Sequence, residues 1–142
     1  MTNTPGGKAK RIDDFLYEKE SYSVGEACKE VWRQFGGAFK ESVIMNALVV
    51  ALKAKGLAVE TQKRIDIYFN GTKVGTYIPD LVVDGKILIE LKCKSVITRE
   101  DEKQFWYYLK ASSYKLGFLI NFAPKKIELR RRVYDKARPT MA

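Results

Sequence analysis

Two acids and a lysine stand at a spacing that chemistry can use: Pro79-Asp80, then Glu90-Leu91-Lys92. Lys86–Cys93 reads as a buried strand, so Glu90 and Lys92 share one face while Ile89, Leu91 and Cys93 share the other. A tight turn at Asp84-Gly85 folds Leu81–Val83 back antiparallel and brings Asp80 to the same end of the sheet as Glu90 and Lys92. Two carboxylates there suit a hard divalent cation, which takes oxygen ligands, keeps several waters and bridges to a substrate phosphate. A lysine beside them can hold an attacking water or offset charge building on a phosphoryl group. Phosphodiester hydrolysis is the chemistry that needs this set. Glu-x-Lys alone says little, and a surface Glu90–Lys92 salt bridge is the plainer alternative. Flanking Ile87, Leu88, Ile89 and Leu91 make the strand apolar on both faces, where charges need a reason.

Composition narrows the field further. The 142 residues suit one domain, and 46% apolar with 30% charged residues suits a folded, soluble chain. Histidine is absent, which removes Ser–His–Asp and Cys–His catalysis and imidazole-bound metals. Cys28 and Cys93 form no CxxC pair, so a zinc knuckle, an iron–sulfur cluster or a disulfide framework is not expected, and both read as inert thiols. No apolar run approaches a membrane span or a signal peptide, so a cytoplasmic protein with no membrane partner is expected. The net charge of +9 is concentrated at the ends, with +3 in residues 1–11 and +5 in residues 125–138. Basic ends on a near-neutral body suit a phosphate backbone, or serve only as solvated tails.

The elements that must position the acids follow from periodicity. Residues 1–15 read as a flexible basic tail, 16–134 as a single domain and 135–142 as a C-terminal tail. Helices are expected over Ser23–Phe35, on a stripe of Val24, Ala27, Cys28, Val31 and Trp32, and over Lys40–Lys55, on a stripe of Val43, Ala47, Val50 and Ala51. Strands are expected over Ala58–Arg64, Ile65–Phe69, Lys73–Tyr77 after the Asn70-Gly71 turn, Leu81–Val83 and Lys86–Cys93. A helix over Arg99–Ser112 opens on Glu100, Asp101 and Glu102, and strands over Leu116–Asn121 and Ile127–Val133 follow. This order gives an α/β domain with a mixed β-sheet flanked by helices.

Pro79-Asp80 with Glu90-Leu91-Lys92 resembles the signature of the PD-(D/E)XK nucleases. The wider chain, from about Leu16 to Arg132, is similar to the GxxExxY family of that superfamily. The likeness includes Glu41-Ser42-Val43, Asn46-Ala47-Leu48, Gly56-Leu57, Asp80-Leu81-Val82-Val83, Ile89-Glu90-Leu91-Lys92 and Gly117-Phe118-Leu119-Ile120-Asn121-Phe122. Gln104 and Tyr108, beside Leu109-Lys110, match the Gln-x-x-x-Tyr element of RecB-like nucleases. The resemblance implies a restriction-endonuclease-like core and a deoxyribonuclease dependent on Mg2+ or Mn2+. It implies Asp80, Glu90, Lys92 and Gln104 as catalytic residues, and Glu41, Asp80, Glu90 and the Leu91 carbonyl as metal ligands. The family's naming motif would have glycine at Ala38 and tyrosine at Ile44, and this chain has neither.

Several residues carry two readings. Glu41 is also a favourable helix N-terminal acid, and Gln104 with Tyr108 also suits a half-exposed polar pair. The run Phe105-Trp106-Tyr107-Tyr108 is core and rim, or leaves a ring outward on which a base can stack. In a strand, Arg130 and Arg132 share a face opposite Arg131, so these two and Tyr108 are the expected nucleic-acid contacts. The functional expectation is DNA cleavage; the alternative is a nuclease-fold module that binds nucleic acid, or needs a partner, without turning over. Self-association into a homo-oligomer is left open.

Overall fold

The strand that carries Glu90 and Lys92 lies in the middle of the sheet, and Asp80 precedes its antiparallel neighbour. A computed structural model describes residues 16–134, so the tails expected over 1–15 and 135–142 lie outside the described residues. Helices α1 (Glu18–Phe35) and α2 (Glu41–Ala54) are followed by strands β1 (Val59–Glu60), β2 (Ile65–Phe69), β3 (Thr72–Tyr77), β4 (Leu81–Val83) and β5 (Ile87–Lys92). Helix α3 (Arg99–Ala111) then leads to β6 (Leu116–Phe122) and β7 (Ile127–Val133). Five strands form a mixed sheet in the order β1-β4-β5-β6-β7. Only β5 and β6 run parallel, with α3 as their crossover; the other neighbours are antiparallel. Among the described residues, no helix is long and apolar enough to cross a membrane.

Alternation along β5 divides the two faces. Ile87, Ile89 and Leu91 enter the large core formed with α1 and α2, where Val24, Ala27, Cys28, Ile44, Leu48 and Leu52 are buried. Leu88 points to the other face, toward Val82, Tyr77 and Leu109 of α3. Each fully buried Leu or Ile contributes about 1.5–3 kcal/mol, so both faces are held firmly. Helix α3 lies close on β6 because Gly117 has no side chain: a Cβ there would meet the Phe105 ring 2.6 Å away.

Three expectations are corrected. Helix α1 starts at Glu18, five residues before the expected start, with Glu18 and Glu20 in its first turn, where acids complement the helix dipole. The buried stripe of α2 is Ile44, Leu48 and Leu52, and Val43 and Val50 are 36% and 69% exposed. Periodicity misjudges that stripe because α2 is apolar nearly all round, which leaves little to discriminate one face from another. The strand expected over Ala58–Arg64 shrinks to Val59–Glu60, since Gln62 turns the chain at φ 61°. The β2–β3 hairpin forms its own two-stranded sheet, and a register shift between Ile67 and Tyr68 bends it.

Candidate active site

The β4–β5 turn sets the geometry. Leu81 pairs with Ile89, and one step further along the same ladder Asp80 meets Glu90. The Asp80 N–H donates to Glu90 Oε1 at 3.0 Å, and the Leu91 N–H donates to Asp80 Oδ2 at 2.8 Å. Each acid is thus fixed by a backbone donor next to the other. Hydrogen bonds to charged acceptors of this kind are stronger than neutral ones and hold the side chains in place.

Burial and mutual repulsion act against ionisation here. Burial first, then the Asp80 charge, pushes the Glu90 carboxyl up to about 7, against the pull of the Asp80 N–H, Tyr77 and Lys92. Burial also raises Asp80, although the Leu91 N–H and Lys92 oppose it. Glu41, opening α2 on the other side of the sheet, is raised by burial and then by the Asp80 charge. It therefore lies within electrostatic range of Asp80 and Lys92. Among the described residues no three acid or cysteine side chains converge closely enough to form a metal-binding group. What the site offers is a close carboxylate pair with a third acid nearby.

That donor set fits a hard divalent cation. Magnesium is held by one or two carboxylates with waters and substrate phosphate, not by an all-protein cage. A cation between Asp80 and Glu90 would also relieve the repulsion that raises their carboxyls.

Helix α3 supplies the opposite wall. Glu90, Lys92, Asp101, Gln104, Phe105, Tyr108 and Leu119 line a narrow cleft. Gln104 and Tyr108 thus lie on one face of α3 beside Glu90 and Lys92. The N-terminus of α3 is closed by a capping box: Asp101 N–H donates to Thr98 Oγ1 at 3.1 Å, and Thr98 N–H to Asp101 Oδ2 at 2.9 Å. Lys94 Nζ reaches the same carboxylate at 2.7 Å. Burial acts to raise Asp101, but these donors outweigh it and hold the carboxyl at about 2.

Two residues here escape a reading of the sequence. Tyr77 stacks on Tyr108 with centroids 4.0 Å apart and planes 6° apart. Its buried hydroxyl lies beside Glu90 without a hydrogen bond of regular geometry, and burial, then the Glu90 charge, raises the phenol. Asn121 is 0% exposed. It accepts from Lys94 N–H at 3.0 Å and donates to Lys94 O at 2.9 Å and to Glu128 Oε1 at 3.0 Å. An asparagine inside the apolar run of β6 is the one signal the chain gives for this network.

The arginines split as strand alternation requires. Arg130 and Arg132 both reach Glu102 of α3, at 3.5 and 2.9 Å, and Arg130 also reaches Glu128 at 3.4 Å. Arg131 turns to the other face and donates to Leu16 O. Their charge is therefore partly engaged by acids. Cys28 is buried and pushed up to about 12 by burial, as suits an inert thiol. Of the two positions that depart from the GxxExxY pattern, Ile44 is core and Ala38 is exposed between α1 and α2. Neither contributes a polar group to the cleft.

A sequence model of the PD-(D/E)XK nuclease superfamily matches residues 18–133. Among solved structures, one described as "Crystal structure of SSO0001" is 20% identical, with a TM-score of 0.46, covering 87% of this chain and 78% of its own. No curated protein sequence matches the chain.

Proposed function

Because the chain belongs to the PD-(D/E)XK nuclease superfamily, we propose that it is a metal-dependent nuclease that hydrolyses phosphodiester bonds in DNA. The observation that carries this reading is the reciprocal pairing of Asp80 and Glu90 through backbone donors, with Glu90 and Lys92 lining one cleft. A binding-only protein has no physical need to hold two carboxylates where a phosphate must approach. Within the superfamily, the likeness of Gln104 and Tyr108 to the RecB-like element and the GxxExxY pattern support the finer placement.

In this reading Asp80 and Glu90 would hold Mg2+ or Mn2+, with the Leu91 carbonyl as a further ligand and Glu41 joining only by a side-chain movement towards the bound ion. The bound cation would lower the pKa of a water and neutralise charge on the phosphate. Glu90 must give up the proton that burial favours before it can act as a ligand, so the site fills more readily as pH rises. Lys92 offsets the charge that builds on the phosphoryl oxygens, an interaction made mainly in the transition state. Gln104 orients the phosphate or the Lys92 ammonium across the cleft. Tyr108, braced by Tyr77, forms the wall along which the strand lies, and Arg130 and Arg132 add affinity for the phosphate backbone.

The test is cleavage of linear, circular and single-stranded DNA with Mg2+, Mn2+ or chelator, for the parent and for Asp80→Ala. Cleavage that needs the metal and vanishes in Asp80→Ala supports the reading. DNA binding with no cleavage under any metal would favour a nuclease-fold binding module instead.

A further inference from the structure

A groove of about 620 Å3 runs along α3 against Ile67 of the β2–β3 hairpin, lined by Asp101, Lys103, Gln104, Tyr107 and Tyr108. It shares Asp101, Gln104 and Tyr108 with the cleft that contains Glu90 and Lys92. The two spaces therefore adjoin along α3, the wider beside the hairpin and the narrower beside Glu90 and Lys92. We infer that this groove is a subsite for an unpaired nucleobase of single-stranded DNA, stacked on Tyr107 with its backbone along Lys103 and Lys110. The inference rests on the nuclease reading and adds to it the strandedness of the substrate.

Size, aromatic surface and charge argue for this occupant. The volume lies in the range of pockets that take small organic groups, about 300–1,000 Å3, and suits a base with its sugar. Tyr107 is 53% exposed, although Phe105 and Leu109 of the same helix are buried. Lys110 Nζ lies over the Tyr107 ring at 4.9 Å from its centroid and Lys103 Nζ at 6.0 Å, so a base that stacks there displaces a flexible ammonium group from the ring face, which then stands within reach of the nucleotide's phosphates. Asp101 lines the groove, but Lys94 answers its charge at 2.7 Å. Glu100 borders the groove at the start of α3, so repulsion there directs phosphates toward the Lys103–Lys110 side. A base in a duplex is stacked on both faces and offers only its edge, whereas an unpaired base offers a face to an aromatic ring.

The experiment measures affinity for oligo-dT and for a duplex of equal length, with Ca2+ in place of a cleaving metal. Parent, Tyr107→Ala and Tyr107→Phe are compared by fluorescence anisotropy. Stacking of one base on one ring predicts a roughly fivefold to hundredfold loss of oligo-dT affinity in Tyr107→Ala. Tyr107→Phe, which keeps the ring, should retain most of that affinity, and duplex affinity should change far less in both. Replacing oligo-dT by an abasic oligomer should weaken the parent by a similar factor and Tyr107→Ala hardly further. Tyr107 is at the surface, so the variants should melt with the parent. Unchanged oligo-dT affinity in Tyr107→Ala, or an equal loss for duplex and single strand, overturns the subsite while metal-dependent cleavage leaves the nuclease reading standing. A parent that neither binds nor cleaves any DNA overturns both.

Discussion

Asn121 grips Lys94 by both of its backbone polar groups, accepting the N–H at 3.0 Å and donating to the carbonyl at 2.9 Å. This fixes the chain where it leaves β5, two residues after Lys92, while Lys94 Nζ ties the same point to Asp101 on α3. Asn121→Ala would leave the two part-buried backbone groups of Lys94 without this partner and the buried Glu128 with Arg130 as its remaining side-chain partner. The expected cost is about 1–3 kcal/mol, from about 0.5–1.5 kcal/mol for each hydrogen bond lost. Urea unfolding measures it, and a change below about 0.5 kcal/mol would show that water replaces the lost hydrogen bonds.

Glu90 gives a pH dependence of definite sign. Its carboxyl titrates near 7 in the fold, against 4.5 as the ordinary value. Between these pH values the native state holds a proton the unfolded chain has lost, so this contribution is full below about 4.5. It is lost as pH rises through about 7. Metal-free parent should lose about 1–3 kcal/mol across that window through Glu90, and Glu90→Gln should be flatter there and more stable at pH 8. Thermal melts at pH 5, 6, 7 and 8 check this. Parallel curves for parent and variant would mean that Glu90 is ionised throughout.

Lys92 is expected to serve turnover more than binding. Lys92→Ala should keep Ca2+-supported DNA affinity, while Mg2+-supported cleavage falls roughly a hundredfold to a thousandfold. Lys92→Arg should rescue poorly, because a planar guanidinium does not replace a compact ammonium. Collapse of affinity with unchanged turnover at saturation would make Lys92 a binding residue.

Glu102 restrains two of the candidate DNA-binding residues. Glu102→Gln removes the charge that Arg130 and Arg132 share and should raise DNA affinity. The slope of log affinity against log salt should steepen by up to about one unit for each phosphate that a released arginine neutralises. Equal slopes for Glu102→Gln and parent would assign the two arginines to holding α3 on β7.

Much of this arrangement is legible in the chain. The short-range features come through because turn chemistry and strand alternation decide them locally, as with Asp84-Gly85 and the Glu90–Lys92 face. The buried face of α2 does not, because its choice depends on tertiary packing, which buries Ile44 and leaves Val50 in solvent. Tyr77 and Asn121 are hidden for another reason. Their partners, Tyr108 and Lys94, are separated from them along the chain, and no periodicity encodes such pairs. The groove beside Tyr107 likewise depends on where the β2–β3 hairpin folds over α3.

The three-residue turn Asp84-Gly85-Lys86 also makes the acidic pair a local feature of the chain. Asp80, Glu90 and Lys92 meet by closing one short antiparallel hairpin, which costs little loop entropy and can precede the parallel β5–β6 pairing. The helices and the β2–β3 hairpin supply its surroundings without forming the turn that joins the acids. Insertions or new termini in the loops between those elements would therefore spare the carboxylates, whereas a cut between Val83 and Lys86 would separate Asp80 from Glu90 and dismantle the centre at its origin.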